Sequence, residues 1–244
     1  MKRIFFSLLL WSPLLFLSIL SARLPGQDQI TDRNDEQDYQ EVLHSIDSSR
    51  REYAHMYTNR NTRVAQDSLL DVAGYELAEA FARLVAPFWY GTPWDFNGTT
   101  EIPGEGKIAC GYFVSTLLRD LGLKVERIRM AQQPSENIVK SLCSRQHIQR
   151  FRNASLDAFV DTIQEWGKGL YVVGLDYHTG FLYHDGSEVY FIHASYYIPK
   201  AVVREKARSS AVLNSSAYRI AGKASADHNL IRSWLKAAPI KTVR

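Results

Sequence analysis

Three short runs of β-branched and aromatic residues lie close together in the chain and constrain its fold more than any other feature. They occupy residues 170–175, 178–183 and 189–194. Asp185-Gly186, between the last two runs, is typical of a tight hairpin turn. Connections this brief can join only antiparallel strands, because a parallel crossover needs a dozen or more residues. The pattern therefore predicts an antiparallel sheet.

Helical patterns fill most of the chain before that sheet. Apolar residues recur at helical spacing over residues 39–56, 68–85, 110–121, 135–146 and 156–166. Pro87 is expected to end the second helix. Short strands are expected at residues 125–130, with edge strands at 201–203 and 218–220. Helices followed by an antiparallel meander predict an α+β fold.

The N-terminus differs in composition from the rest of the chain. Lys2 and Arg3 precede an apolar run over residues 4–20, which ends in the small residues Ser21 and Ala22. This order describes an export signal over residues 1–22, although the run is also long enough for a membrane anchor. Pro13 and the polar segment 23–38 favour cleavage. We expect a periplasmic or secreted protein, attached to a membrane only through residues 4–20 if these are retained.

The remaining composition excludes several classes of partner and scaffold. Hydrophobic residues make up 45% of the 244 residues and charged residues 23%, which suits one globular core. Removal of Lys2 and Arg3 from the 29 basic residues leaves 27 against 26 acidic ones. This near balance gives no footprint for nucleic acid. The chain has only two cysteines, so it is not a disulfide scaffold.

The candidate catalytic residues are one cysteine and two histidines. Cys110 lies where a loop is expected to become a helix, and an N-terminal helix position lowers a thiol pKa. Gly111 is expected to leave room for a substrate. His178 and His193 fall on neighbouring predicted strands, as a base and a residue that orients it. Each residue alone is commonly structural, and the combination favours catalysis.

Four segments resemble a known family. The loop 90–98 and the segment 109–114, with the histidine segments 178–183 and 191–195, are similar to NlpC-type cell-wall cysteine peptidases of the papain-like superfamily. The resemblance implies a papain-like core, in which the nucleophile helix and the other N-terminal helices pack on an antiparallel sheet. It implies that Cys110 is the nucleophile, His178 the base and His193 the orienting residue.

By the same resemblance, the substrate is a peptide amide bond, as in peptidoglycan stem peptides, and no metal or organic cofactor is needed. Trp94, Asp95, Ala109 and Gly111 are the candidate substrate-binding residues. Ala109 and Gly111 replace an aspartate and a serine that the family commonly uses to grip its substrate. Trp94 replaces a tyrosine, so it can stack on a substrate but carries no hydroxyl.

These expectations divide the chain into four parts. They are a signal or anchor at 1–22, a polar tether at 23–38, a helical segment at 39–86 that packs on the core, and a catalytic domain at 87–244, in a monomer. The leading hypothesis is an exported cysteine hydrolase.

Three alternatives stay open. The same acyl-enzyme could serve an acyltransferase or transamidase. The cleft could instead belong to a non-catalytic peptide- or glycan-binding module, in which Cys110 is inert or bonded to Cys143. His178, His184, His193 and Asp185 could suggest a zinc hydrolase, but their spacing is not that of a zinc site.

Overall fold

The structure, a computed structural model, describes residues 27–243 and, at the N-terminus, side chains from residue 36 onwards. The expected signal or anchor at residues 1–22 lies outside this part of the chain. Within residues 27–243, no helix has both the length and the apolar character that crossing a bilayer requires.

The described part of the first half of the chain is mainly helical, and the second half contains both strands and helices. The α-helices are α1 Gln27–Thr58, α2 Arg63–Glu79, α3 Ala86–Trp89, α4 Cys110–Asp120, α5 Arg127–Ala131, α6 Ser135–Leu142, α7 Leu156–Trp166, α8 Ala211–Asn214 and α9 His228–Leu235. The strands are β1 Lys124–Val125, β2 Ile148–Arg152, β3 Gly169–Leu175, β4 Thr179–His184, β5 Val189–Ala194, β6 Val202–Lys206, β7 Tyr218–Lys223 and β8 Pro239–Ile240.

Six strands form one antiparallel sheet in the order β2-β7-β3-β4-β5-β6. The expected meander of β3, β4 and β5 and the α+β class are confirmed. The expectation of an edge strand at 218–220 was wrong, because β7 pairs with β3 on one side and β2 on the other. β2 was not predicted, since Arg150 and Arg152 interrupt its apolar residues.

Helices cover both faces of the sheet. α2, α4 and α6 pack on one face, and α7 packs on the other. Every residue of β3 and β4 is buried for this reason. Phe181 of β4 contributes to the larger core, and Phe191 of β5 to the smaller core beneath α7. Each such buried ring contributes roughly 1.5–3 kcal/mol of hydrophobic stabilisation, so the central strands are held from both sides.

The helix that Pro87 was expected to end continues past it. α2 runs into a π-helical segment, Ala80–Val85, and α3 follows with Pro87 in its first turn. A proline lacks a backbone N–H, and its ring collides with the carbonyl four residues earlier in a regular helix. The wider π turn just before Pro87 changes that hydrogen-bonding pattern, which lets the chain stay helical.

Two further segments differ from expectation. Residues 125–130 were expected as a strand, but only Lys124–Val125 pairs, with β8, and α5 follows. The polar tether expected at 23–38 is helical from Gln27, as part of α1. Tyr39 anchors this helix, because its hydroxyl donates to Asp120 at 2.7 Å and accepts from Trp89 Nε1 at 2.9 Å. Once a helix is anchored, extending it costs little.

Candidate active site

A glycine in the preceding loop fixes the start of the nucleophile helix. The backbone N–H of Ala109 donates to the carbonyl of Gly98 at 2.9 Å. A Cβ atom on Gly98 would lie 2.5 Å from the backbone nitrogen of Ile108, so only glycine allows this close approach. Cys110 then begins α4 as a free, partly exposed thiol. The N–H groups of the first helical turn have no partner within the helix, so they are available near the sulfur.

Gly111 has a different role from the one expected. A Cβ atom there would lie 2.2 Å from the carbonyl oxygen of Ala131 at the end of α5. The space on the Cβ side of Gly111 is therefore filled by the protein backbone, while other atoms of the residue line the cleft. The glycine lets α4 and α5 pack closely, and this contact forms one wall of the cleft at Cys110.

The two histidines are brought into contact at the centre of the sheet. His178 immediately precedes β4, and His193 lies in β5. His178 Nε2 and His193 Nδ1 are 2.8 Å apart, and both side chains are buried. A Cβ atom on Gly180 would lie 2.8 Å from both His193 Cβ and Phe191 Cε2, so this glycine makes room for the His193 ring.

A carboxylate that the sequence analysis missed extends this pair. Glu205 of β6 places Oε1 3.1 Å from His193 Nε2. The sequence predicted a strand only for residues 201–203, so Glu205 was not assigned to the sheet. Side chains alternate between the two faces of a strand. Val203 pairs with His193, so Glu205, two residues further along β6, lies on the same face as His193.

The chain of contacts fixes where each ring carries its proton. A carboxylate only accepts hydrogen bonds, so His193 must donate from Nε2 to Glu205. Nδ1 of His193 then carries the lone pair and accepts from Nε2 of His178. The proton-free nitrogen of His178 is therefore Nδ1, which is the atom a general base needs.

Burial keeps both rings neutral near neutral pH. It lowers the pKa of His178 well below its ordinary value, and the neighbouring His193 adds to this shift. Burial also lowers the pKa of His193, against the opposing effect of Glu205. For Glu205, burial acts to raise the pKa, but hydrogen bonds from His193 and Ser210 outweigh it and the net shift is downward. The carboxylate is thus ionised beside two neutral imidazoles.

The thiol differs from expectation in its ionisation. Burial raises the pKa of Cys110 above the ordinary thiol value. The backbone N–H groups of Thr179, Gly111 and Cys110 itself oppose this shift but do not cancel it. The helix N-terminus was expected to give a net decrease, and desolvation outweighs it. In the resting site the sulfur is therefore protonated.

Cys110 and His178 line the same cleft, which has two connected lobes. The large lobe has a volume of about 820 Å³ and is walled by Trp94, Tyr112 and Tyr196. The small lobe, of about 220 Å³, shares Cys110 and His178 with it. The Tyr196 ring stands 5.1 Å from the His178 ring, nearly perpendicular to it. Cys110 and His178 thus face one shared space.

Three of the four expected substrate-binding residues, Trp94, Ala109 and Gly111, line the large lobe. Asp95 does not line either lobe. Its carboxylate accepts from the backbone N–H of Asn97 at 2.9 Å and pairs with Lys107 at 3.3 Å. Asp95 is therefore engaged in holding the loop that carries Trp94.

Two of the alternative hypotheses involve a disulfide between Cys110 and Cys143 and a zinc site. Cys143 is a buried free thiol at the end of α6, so no disulfide joins it to Cys110. Among residues 36–243, no group of three or more His, Cys, Asp or Glu side chains has a geometry that could hold a metal ion. His184, from the proposed zinc set, is buried at the end of β4.

A second cluster of serine, histidine and aspartate has a structural role. Asp227 Oδ2 lies 3.2 Å from His147 Nδ1 and accepts from the backbone N–H of Ser144 at 2.6 Å. The other carboxylate oxygen accepts from the first two N–H groups of α9 that it can reach, those of Asn229 and Leu230. Ser144 and Asp227 contact the same histidine nitrogen, so no relay can form. The cluster caps α9.

Comparison of the chain with protein families, with curated proteins and with solved structures finds no match. The function is therefore argued from the site itself.

Proposed function

We propose that this protein is a papain-like cysteine hydrolase that cleaves amide bonds in peptides. One observation carries the proposal: the cleft at Cys110 contains a base, His178, whose tautomer is set by His193 and Glu205. The likeness of the loop and strand motifs to NlpC-type peptidases supports it, as does the α+β fold. The N-terminal sequence supports an exported enzyme, and the choice of cell-wall peptides rests on the resemblance alone.

The reaction follows from the proton positions. A substrate carbonyl binds at the start of α4, and the Cys110 sulfur attacks its carbon as His178 Nδ1 takes the thiol proton. Backbone N–H groups of the first helical turn stabilise the negative oxygen. His178 then returns the proton to the departing amine as the carbon–nitrogen bond breaks.

Water completes the cycle. His178 accepts a proton from the attacking water, the thioester breaks, and the proton returns to sulfur to give a carboxylic acid and a free thiol. His193 and Glu205 hold the imidazolium that forms at each proton transfer. Because the resting thiol is protonated, attack and deprotonation occur together rather than from a preformed ion pair.

Product analysis of the full chain tests the proposal. Wild type, Cys110→Ala and Cys143→Ala are incubated with a defined peptide mixture and with purified peptidoglycan, and products are read by mass. We expect new termini from wild type and Cys143→Ala, and a loss of roughly 10³-fold or more for Cys110→Ala. Equal cleavage by Cys110→Ala would refute the nucleophile. An added amine acceptor separates hydrolysis from acyl transfer by the mass of the product.

A peptide-binding module is the second candidate, and the raised pKa of the Cys110 thiol favours it. Such a module would release no fragments from any substrate. It would still bind a peptide in the cleft, with equal affinity in wild type and Cys110→Ala, as measured by calorimetry.

A further inference from the structure

We propose that the large lobe of the cleft binds a bulky, uncharged, aromatic or aliphatic acyl group. This inference rests on the proposed function and names its substrate class: amides whose residue on the acyl side of the cleaved bond is neutral and apolar. A site of this kind differs from one that binds charged peptides.

The walls of the large lobe are mainly apolar and carry no formal charge near neutral pH. Aromatic rings, those of Trp94, Tyr112 and Tyr196 among them, line the lobe beside the uncharged polar residues Asn97, Thr99, Gln132 and Gln133, and none of the lining residues is aspartate, glutamate, lysine or arginine. His178, the only histidine that lines it, is held neutral by burial. A charged group that enters such a lobe loses water and gains no counter-ion, so it is disfavoured.

Three charged side chains in the segments around the lobe have partners within the protein. Asp95 and Lys107 pair with each other outside it. Arg127 stacks over the outer side of the Tyr112 ring, 4.9 Å from its centre, and donates to Thr116 Oγ1 and to loop carbonyls. These groups hold the walls in position and leave no unpaired charge to select an ionic substrate.

Two exposed aromatic side chains extend the apolar surface to the mouth of the lobe. Phe96 is 81% exposed and Tyr177 is 94% exposed, and both line the large lobe. Phe96 precedes α4 in sequence, whereas Tyr177 precedes β4, so the two come from different parts of the chain. Large apolar side chains left in water beside a cleft mark a surface that is covered when a ligand binds.

The small lobe differs in a way that orients the substrate. Ser135, Asp176 and Thr179 line it together with Cys110. Asp176 accepts from Ser216 and from two backbone N–H groups, so its carboxylate stays ionised beside this lobe. The small lobe thus contains a carboxylate, which the large lobe lacks, and a negative charge suits the departing amine. The acyl group, which stays on the sulfur after the amine departs, then occupies the larger apolar lobe.

Matched covalent probes test this assignment independently of turnover. Three N-acetylated aminoacyl chloromethyl ketones, with phenylalanine, glutamate or lysine side chains, are each incubated with the full chain. The Cys110 sulfur displaces chloride, a carbon–sulfur bond forms, and the thiol proton passes to His178. Intact mass and peptide mapping give the rate at Cys110, and iodoacetamide, which is too small to fill the lobe, gives the reference rate.

We expect the phenylalanine probe to react about tenfold or more faster than the other two after each is scaled for its intrinsic reactivity. Phe96→Ser and Tyr177→Ser should each lower the phenylalanine rate by about threefold or more, with the iodoacetamide rate unchanged. Both side chains are exposed, so neither change removes core packing. Tyr75→Ser, which changes an exposed aromatic residue on α2, is the matched control and should leave every rate unchanged.

Equal rates for the three probes, or a faster glutamate or lysine probe, would overturn the substrate class while leaving the cysteine hydrolase intact. A Cys110 that reacts with neither the probes nor iodoacetamide would refute the proposed function, and the substrate class would fall with it.

Discussion

The two cysteines of this protein occupy opposite ends of two helices. Cys110 begins α4 and faces a cleft, where three backbone N–H groups act to stabilise its thiolate. Cys143 follows the last residue of α6, is 5% exposed and packs against Gly222 of β7. Burial raises the pKa of Cys143 well above the ordinary thiol value, and Asp227 adds to the shift. Cys110 therefore faces the cleft, whereas Cys143 is part of the packed interior.

A helix N-terminus alone does not bring the pKa of a thiol below its ordinary value, as Cys110 shows. Burial raises the pKa at both positions, so neither sulfur is a thiolate at rest. Cys110 differs in having His178 in the same cleft to accept its proton. Activation therefore depends on the base and on the tautomer that Glu205 sets, more than on the helix that carries the sulfur.

The largest expected effect is the difference in alkylation between the two thiols. In the native protein, iodoacetamide should modify Cys110 roughly 10³-fold or more faster than Cys143, because Cys143 reacts only after local opening. Peptide mapping after timed quenching measures both rates. Since the pKa of Cys110 is raised, its rate should increase about tenfold per pH unit through the neutral range. A rate that is flat over that range would show a preformed thiolate instead.

Removal of the base should have the next largest effect. His178→Ala should lower the turnover of a cleaved peptide by roughly 10²- to 10⁴-fold, since it removes the proposed acceptor of the thiol proton. Alkylation of Cys143 should not change. His184→Gln, a change at a buried histidine that ends β4 and does not line the cleft, serves as control and should keep most of the turnover.

Loss of the carboxylate should have a smaller effect on the same reaction. Glu205→Ala removes the hydrogen bond that fixes the His193 tautomer, and turnover should fall about 10- to 100-fold. If Glu205 positions His193, Glu205→Ala should also change the pH profile of turnover. Glu205→Gln, whose amide oxygen can still accept a hydrogen bond, should restore part of the turnover. Glu188→Ala, which removes an ion pair with Lys206 and a contact with the Val189 N–H but no contact with the relay, should change neither turnover nor its pH profile. A loss of stability with an unchanged pH profile would reduce Glu205 to a structural residue.

The smallest effect concerns the packing of Cys143. A Cβ atom on Gly222 would lie 2.7 Å from the Cys143 sulfur and 2.8 Å from Val139 Cγ1. Gly222→Ala should therefore lower the free energy of unfolding by about 1–3 kcal/mol, measured by urea denaturation. In a Cys143→Ala background the cost should shrink, because the sulfur is gone. Full additivity of the two changes would mean that the sulfur does not limit this contact.

Local sequence signals predicted the elements whose ends they mark. Ser155 caps α7 through the N–H of Ala158, and Gly167 ends it with a positive φ of 90°. The start of α4 at Cys110 and the strands at both histidines were also predicted closely. In each case the residues that decide the structure lie within a few positions of the element itself.

The features that were missed depend on distant partners. β2 has alternating arginines and becomes a strand only because β7 offers a free edge. Glu205 joins the relay through the pairing of β6 with β5, and alternation along β6 identifies its face only once that register is known. The ionisation of Cys110 was expected in the wrong direction, because its desolvation comes from elements that fold around it. Tertiary burial outweighed the helix effect there.

The relay beside Cys110 joins His178, just before β4, to His193 on β5 and Glu205 on β6, and β6 forms one edge of the sheet. Side chains alternate between the two faces along a strand. Sliding β6 by a single residue would therefore present Arg204 or Lys206 to His193 in place of Glu205, a cation where an anion is needed. The relay of the proposed hydrolase thus depends on the alignment of one peripheral strand, and a slip of about 3.4 Å there would break the relay while the protein stays compact.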